Sequence, residues 1–256
     1  MNPAMTLHDA QRDRLLRTIE WAREIERHLA TIRARHVGQV HFRPASTGIA
    51  MIGLLPDRPQ RGKSSITALA RLAADFEADF RAHCVDCEHG RPTPEKRLQS
   101  RLIAEAYRHD RRLGPLTAPD LASPLIFITD ELVLPVDGGR IVCDLLALSG
   151  DRPVILELKP SRAKKRLVEQ VTLYAALVET HMSLFGELCS VILGREVTLR
   201  APCERWIVWP AAGHERDPQE DALADLGIRV VGYEETEQGF AFRVGCEVAA
   251  AWAGRG

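Results

Sequence analysis

Val142-Cys143-Asp144-Leu145-Leu146 and, beyond the turn Ser149-Gly150-Asp151, Ile155-Leu156-Glu157-Leu158-Lys159 are the two stretches that decide the fold. Both are apolar, strand-like runs, and each is interrupted by charge. Side chains alternate between the faces of a strand, so Glu157 and Lys159 share one face. Burying such groups costs on the order of several kcal/mol unless they are paired or bound to a metal. An acid on the preceding strand supplies what is missing. Asp144 with Glu157 makes a hard, all-oxygen site suited to Mg²⁺ or Mn²⁺, ions that keep water and accept phosphate oxygens as further ligands.

The pattern around these strands is regular. Thr93-Pro94-Glu95 reads as cap, first-turn proline and first-turn acid, opening a helix to about Arg112. Strands follow over Leu125–Leu134, Arg140–Leu148 and Val154–Leu158, the first two joined by Asp137-Gly138-Gly139. A helix is expected over Ala163–His181, then a strand Trp206–Trp209 and a helix Pro218–Leu226. Short strands Ile228–Tyr233 and Phe240–Val244 close the sequence. Helix, three strands, helix, strand is the order of an α/β sandwich around a mixed sheet. Upstream, Leu15, Ile19, Ala22, Ile25, Leu29 and Ile32 recur at helical spacing within His8–Arg35. That helix packs on its own domain; the second reading is a short seam for a homodimer. Strand-like runs Val40–Phe42 and Ile49–Leu54 come next, then a helix from Ser64 or Ser65 to His83. Gly62-Lys63-Ser64 is not a P-loop, because the required earlier glycine is Asp57. The Gly- and Pro-rich stretch Glu88–Pro94 divides an N-terminal α+β extension, residues 1–90, from a main domain, residues 91–256.

Asp144, Glu157, Leu158 and Lys159, set on adjacent strands, resemble the Asp-(spacer)-Glu-x-Lys pattern of the PD-(D/E)XK nuclease superfamily. The resemblance spans about Thr93 to Pro210. Gln170-x-x-x-Tyr174 on the following helix is similar to an element of the RecB-like branch, and its i, i+4 spacing places both residues on one helical face. Many members carry an acid on the helix before the sheet, and Glu95, Gln99 and Glu105 are on offer here. On a helical wheel Leu98, Leu102 and Ala106 bracket Glu95 and leave Glu105 nearer the rim, so Glu95 is the expected inward acid. The resemblance implies a restriction-endonuclease-like sandwich and a metal-dependent deoxyribonuclease. Asp144, Glu157 and Glu95 would hold Mg²⁺ or Mn²⁺. Lys159 would orient water or stabilise the transition state, and Gln170 and Tyr174 would position nucleophile or substrate. The alternative is a nuclease-fold protein that binds nucleic acid or a protein partner without cutting.

Composition bounds the partner. A net charge of -1 provides no global field for nucleic acid, so any phosphate-binding surface is local. Arg162, Lys164, Lys165 and Arg166 cluster just beyond the motif with no acid among them, close to a helix start that ordinarily disfavours cations. They are the expected contacts to nucleic acid, DNA before RNA. No apolar run is long enough to cross a bilayer and no secretion signal is evident, so a cytoplasmic protein with no membrane partner is expected. Six cysteines then read as thiols. Cys84-Val85-Asp86-Cys87, flanked by His83 and His89, is half of a zinc site and the second reading for those thiols.

Overall fold

A computed structural model describes residues 6–35, 37–38, 40–45, 48–54, 61–64, 93–116, 121, 123–162, 166–211, 218–236, 239–244 and 247–248. The expected helix from Ser64 or Ser65 to His83 and the cysteine pair Cys84/Cys87 lie outside the described residues, as do Lys164 and Lys165.

The chain begins with helix α1 (Leu7–Arg35) and an antiparallel sheet of β1 (Val40–Ala45), β2 (Gly48–Gly53) and β3 (Arg61–Ser64). Helix α2 (Pro94–Arg108) starts where its cap predicts: the Thr93 hydroxyl accepts from the Lys96 N–H, and Pro94 sits in the first turn. Strands β4 (Leu125–Val136), β5 (Gly139–Ser149) and β6 (Arg152–Leu158) form a meander. Helices α3 (Leu167–Thr180) and α4 (Met182–Leu193) carry the chain to β7 (Glu204–Pro210), and helix α5 (Pro218–Asp225) leads to β8 (Ile228–Thr236). The last strands are β9 (Gly239–Val244) and β10 (Glu247–Val248).

The main sheet runs in the order β10-β9-β8-β7-β6-β5-β4. β6, β7 and β8 are parallel neighbours and the other pairs are antiparallel. Parallel neighbours need a crossover, which α3–α4 supplies between β6 and β7, and α5 between β7 and β8. The sheet is therefore mixed and covered by helices on both faces. Alternation along the central strands sorts their side chains. Leu156, Trp206 and Val208 pack with Leu98, Leu102 and Ala106 of α2. Ile155 packs with Tyr174, Val178 and Phe185 of α3 and α4, and Ile207 and Trp209 pack with Leu167 and Val171 of α3. Trp206 and Trp209 are wholly buried core residues, as their place in an apolar strand suggests.

Helix α4 is absent from the sequence reading, which ends the helical segment at His181. The chain bends by 88° there, and α4 stops at Gly194 in the left-handed conformation that suits a helix end. Its buried residues Phe185, Leu188, Cys189 and Ile192 recur at helical spacing, a stripe that the sequence reading passed over. The N-terminal segment enters the same cores: Leu15, Ile19 and Ala22 of α1 join the cluster under α3 and α4, and Ile52 and Leu54 join the one under α2. Among the described residues no single helix is long and apolar enough to cross a membrane.

Candidate active site

Asp144 lies where β5 and β6 come apart. The β5–β6 ladder runs from Ser149↔Arg152 to Leu145↔Leu156 and stops, so the next facing positions, Asp144 and Glu157, are not paired as backbone. On the other side, the β4–β5 ladder omits Glu131↔Asp144, and Glu131 adopts a positive φ of 42°. Strand β6 keeps its parallel partner β7 through Leu158↔Val208. Strands β5 and β6 thus diverge at Asp144, and polar groups that a ladder would have joined must find other partners. The Asp144 side chain supplies one: Oδ2 accepts the Leu158 N–H at 2.9 Å.

The divergence brings the carboxyls of Asp144 and Glu157 within hydrogen-bonding reach of each other. Lys159 Nζ lies 2.5 Å from Glu157 Oε1, and the Gln170 amide donates to the same oxygen at 2.6 Å and to the Val142 carbonyl at 3.3 Å. Lys159, just past the end of β6, therefore pairs with the glutamate two residues before it. Glu157 is 1% exposed and Asp144 8%. Burial, then the charge of Asp144, pushes the Glu157 carboxyl up to about 8, against the pull of Lys159. Burial pushes Asp144 up to about 6, with Lys159 and the Leu158 N–H opposing it and Glu95 adding to it. Two acids sharing one buried site cannot ionise together at little cost, so near neutral pH the pair retains a proton.

The donor set suits a hard divalent ion. Mg²⁺ and Mn²⁺ take carboxylate oxygens and need few of them, with water and substrate phosphate completing the shell. Among the described residues, no three His, Cys, Asp or Glu side chains come together as a metal-holding group, so Asp144 and Glu157 form a two-acid site without Glu95 as a third. Glu95 is half-buried in the first turn of α2 and acts on Asp144 through its charge. The wheel reading of this helix needs correction: Glu105 is 2% exposed, not at the rim. Leu98, Gln99, Ser100 and residues 102–106 are all buried, so α2 is enclosed on more than one side, which a single inward stripe cannot express. Arg101 and Arg108 pair with Glu105 there.

The helix residue that reaches the site is Gln99, 4% exposed. Its amide donates to the Asp144 backbone carbonyl at 3.1 Å and to Asp130 Oδ2 at 3.3 Å, while its oxygen accepts from Lys96 at 2.8 Å. Asp130 is in turn bound by His41 at 2.7 Å and by Arg43, both on β1; Arg43 also pairs with Glu131, as does Lys96. Tyr107 closes the network through its hydroxyl, 2.7 Å from His41 Nδ1. The sequence carried a signal for this cluster. Thr129-Asp130-Glu131 interrupts the apolar strand Leu125–Leu134 just as Asp144 interrupts β5, and His41 and Arg43 alternate along β1.

Tyr174 does not join Gln170 at the carboxylates. Its buried hydroxyl donates to the Leu132 carbonyl at 3.0 Å, bracing α3 against β4. Arg162 donates to the Pro210 carbonyl at 2.7 Å and to Glu220 at 2.9 Å, and its guanidinium lies 4.5 Å from the centre of the Trp209 ring. Arg166 is exposed at the start of α3 with a positive φ of 68°. Cys143 is a buried filler whose thiol burial pushes well above its ordinary range. Cys189 and Cys203 are buried free thiols, each pushed up to about 12. Compared with protein-family models, curated proteins and solved structures, the chain finds no match.

Proposed function

We propose that the chain is a divalent-metal-dependent nuclease with a restriction-endonuclease-like, PD-(D/E)XK-type fold, hydrolysing phosphodiester bonds in DNA. The observation that carries this is the meeting of Asp144 and Glu157 where β5 and β6 diverge, with Lys159 and Gln170 both on Glu157 Oε1. Two acids forced together at a cost make sense where a cation offsets their charge. Asp144 and Glu157 would hold the ion, Mg²⁺ or Mn²⁺. When bound, the ion supplies an acidified water and positive charge for the phosphate.

The chain's own residues do the rest. Gln170 fixes the orientation of Glu157 from α3, leaving the glutamate little rotamer freedom. Lys159 follows the end of β6 and is only partly buried, so its ammonium can turn from Glu157 to the negative charge that builds on a cleaved phosphate. Arg166, exposed at the start of α3, offers a cation to a DNA backbone, and Lys164 and Lys165 precede it in the sequence. Arg162 is a poorer candidate, since meeting a phosphate means leaving Pro210, Glu220 and the Trp209 ring.

The test is incubation with single-stranded, duplex, nicked and branched DNA and with RNA, in Mg²⁺ or Mn²⁺. Cleavage should vanish with chelator and with Asp144→Ala, and fall about a hundred-fold or more with Lys159→Ala. Cleavage that survives both substitutions would remove these residues from the reaction. A second reading is a protein of this fold that binds DNA or a protein partner without cutting. It is favoured by the Lys159–Glu157 contact, which partly neutralises the site without an ion. Tight binding of a substrate that is never cleaved in either ion would select it.

A further inference from the structure

Asp144 lies beyond the end of the β5–β6 ladder, and the β4–β5 ladder skips it between Asp130↔Leu145 and Leu132↔Cys143, so a side-chain contact to its carbonyl adds to what those flanking pairs hold. One group holds its carbonyl. The Gln99 side-chain amide has two N–H bonds and two acceptors, the Asp144 carbonyl and Asp130 Oδ2, while its oxygen takes Lys96. Both N–H bonds and one lone pair of the oxygen are directed at named partners, which restricts its rotamer. Asp130 is fixed from the far side by His41 and Arg43 of β1. The path is continuous: N-terminal strand, Asp130, Gln99, Asp144 peptide, and from the Asp144 carboxylate to the Leu158 N–H beside Glu157.

We infer that Gln99 is a positioning residue for the candidate site, anchored through Asp130 to the N-terminal strand, so that docking of β1 sets the placement of Asp144. This rests on the cleavage site proposed above, but the placement itself can be measured without cleavage. A positioning group leaves substrate binding alone and changes how well the acid is aimed. The N-terminal segment then belongs to the catalytic apparatus, acting through the sheet break without touching substrate.

The experiment uses the full chain. Gln99→Met keeps length and removes the bonds; His41→Leu cuts the anchor at β1, and His41→Gln returns a donor toward Asp130. Hydrogen exchange is followed at the Leu158 amide, whose bond to Asp144 reports the aim of that side chain. Mn²⁺ affinity and steady-state cleavage are measured alongside. Gln99→Met should speed Leu158 exchange at unchanged global stability. It should also weaken Mn²⁺ binding and lower kcat about 10- to 100-fold, with KM within about twofold. His41→Leu should do the same to a smaller degree and His41→Gln should restore it, which keeps the test open if Gln99→Met fails to fold. Unchanged Leu158 exchange in folded Gln99→Met or His41→Leu overturns the inference. Faster exchange in a protein that neither binds Mn²⁺ nor cleaves supports the positioning path and refutes only the nuclease reading.

Discussion

At the scale of single residues, Asp144 and Glu157 each lose water on folding and each resists the other's charge, so both hold protons more tightly than an exposed acid. The sign of the pH dependence follows. The unfolded chain releases these protons in the ordinary carboxylate range, whereas the folded chain keeps them to about 6 and about 8. Without a divalent ion the pair therefore destabilises the fold increasingly as pH rises from about 4 to about 8. Thermal melts in chelator across that range should show Tm falling with pH through this contribution, and Glu157→Gln should flatten the slope above about pH 6. A slope identical in wild type and Glu157→Gln would show that the pair is not coupled as described. Asp130 behaves oppositely. Burial raises it, but Arg43 and His41 outweigh burial and hold it at about 2. Its contribution is present above the ordinary carboxylate range and is lost as pH falls toward about 2. Asp130→Asn, which leaves Arg43 with a weakened partner in the interior, should cost about 3 kcal/mol in denaturant unfolding.

At the scale of elements, helix α3 divides its two singled-out residues between different tasks. Gln170 holds Glu157, while Tyr174, one turn on, braces Leu132. Gln170→Ala should lower kcat by about 10- to 100-fold. Tyr174→Phe should cost about 1 kcal/mol of stability and leave kcat within a few-fold. Equal losses of activity in the two variants would mean that Tyr174 also reaches the reaction. The sequence made the strands and the pair Asp144/Glu157 legible because a charge inside an apolar, alternating run has few explanations. Gln170 was singled out only by the resemblance of Gln170-x-x-x-Tyr174 to a known helical element, since a neutral amide carries no signal of its own. The role of Gln99 was not legible, because a neutral amide on a helix carries no such penalty signal. Glu105 misled because α2 is buried on more than one side between Leu98 and Ala106, which a wheel drawn for one inward face cannot express. Helix α4 was missed although Phe185, Leu188, Cys189 and Ile192 recur at helical spacing, because the helical segment was ended at His181.

At the scale of the whole molecule, the expected accessory region and the main sheet share their cores. Leu15, Ile19 and Ala22 of α1 lie in the cluster with Leu146, Ile155 and Phe185. Removing residues 1–38 would expose that cluster to water, at about 1.5–3 kcal/mol for each large side chain involved. The truncated chain should lose its near-UV circular dichroism and its cooperative unfolding transition. A truncated chain that melts cooperatively near the wild-type Tm would show that the main sheet stands without α1.

The central claim is that Asp144 and Glu157 form a divalent-ion site, and calorimetric titration of Mn²⁺ at neutral pH in two buffers of different ionisation enthalpy tests it most directly. Because the pair retains a proton there, binding must release it, and the observed heat must depend on the buffer. The account predicts saturable Mn²⁺ binding with proton release in the wild-type chain, lost in Glu157→Gln. No binding by the wild type, or binding undiminished in Glu157→Gln, would contradict it.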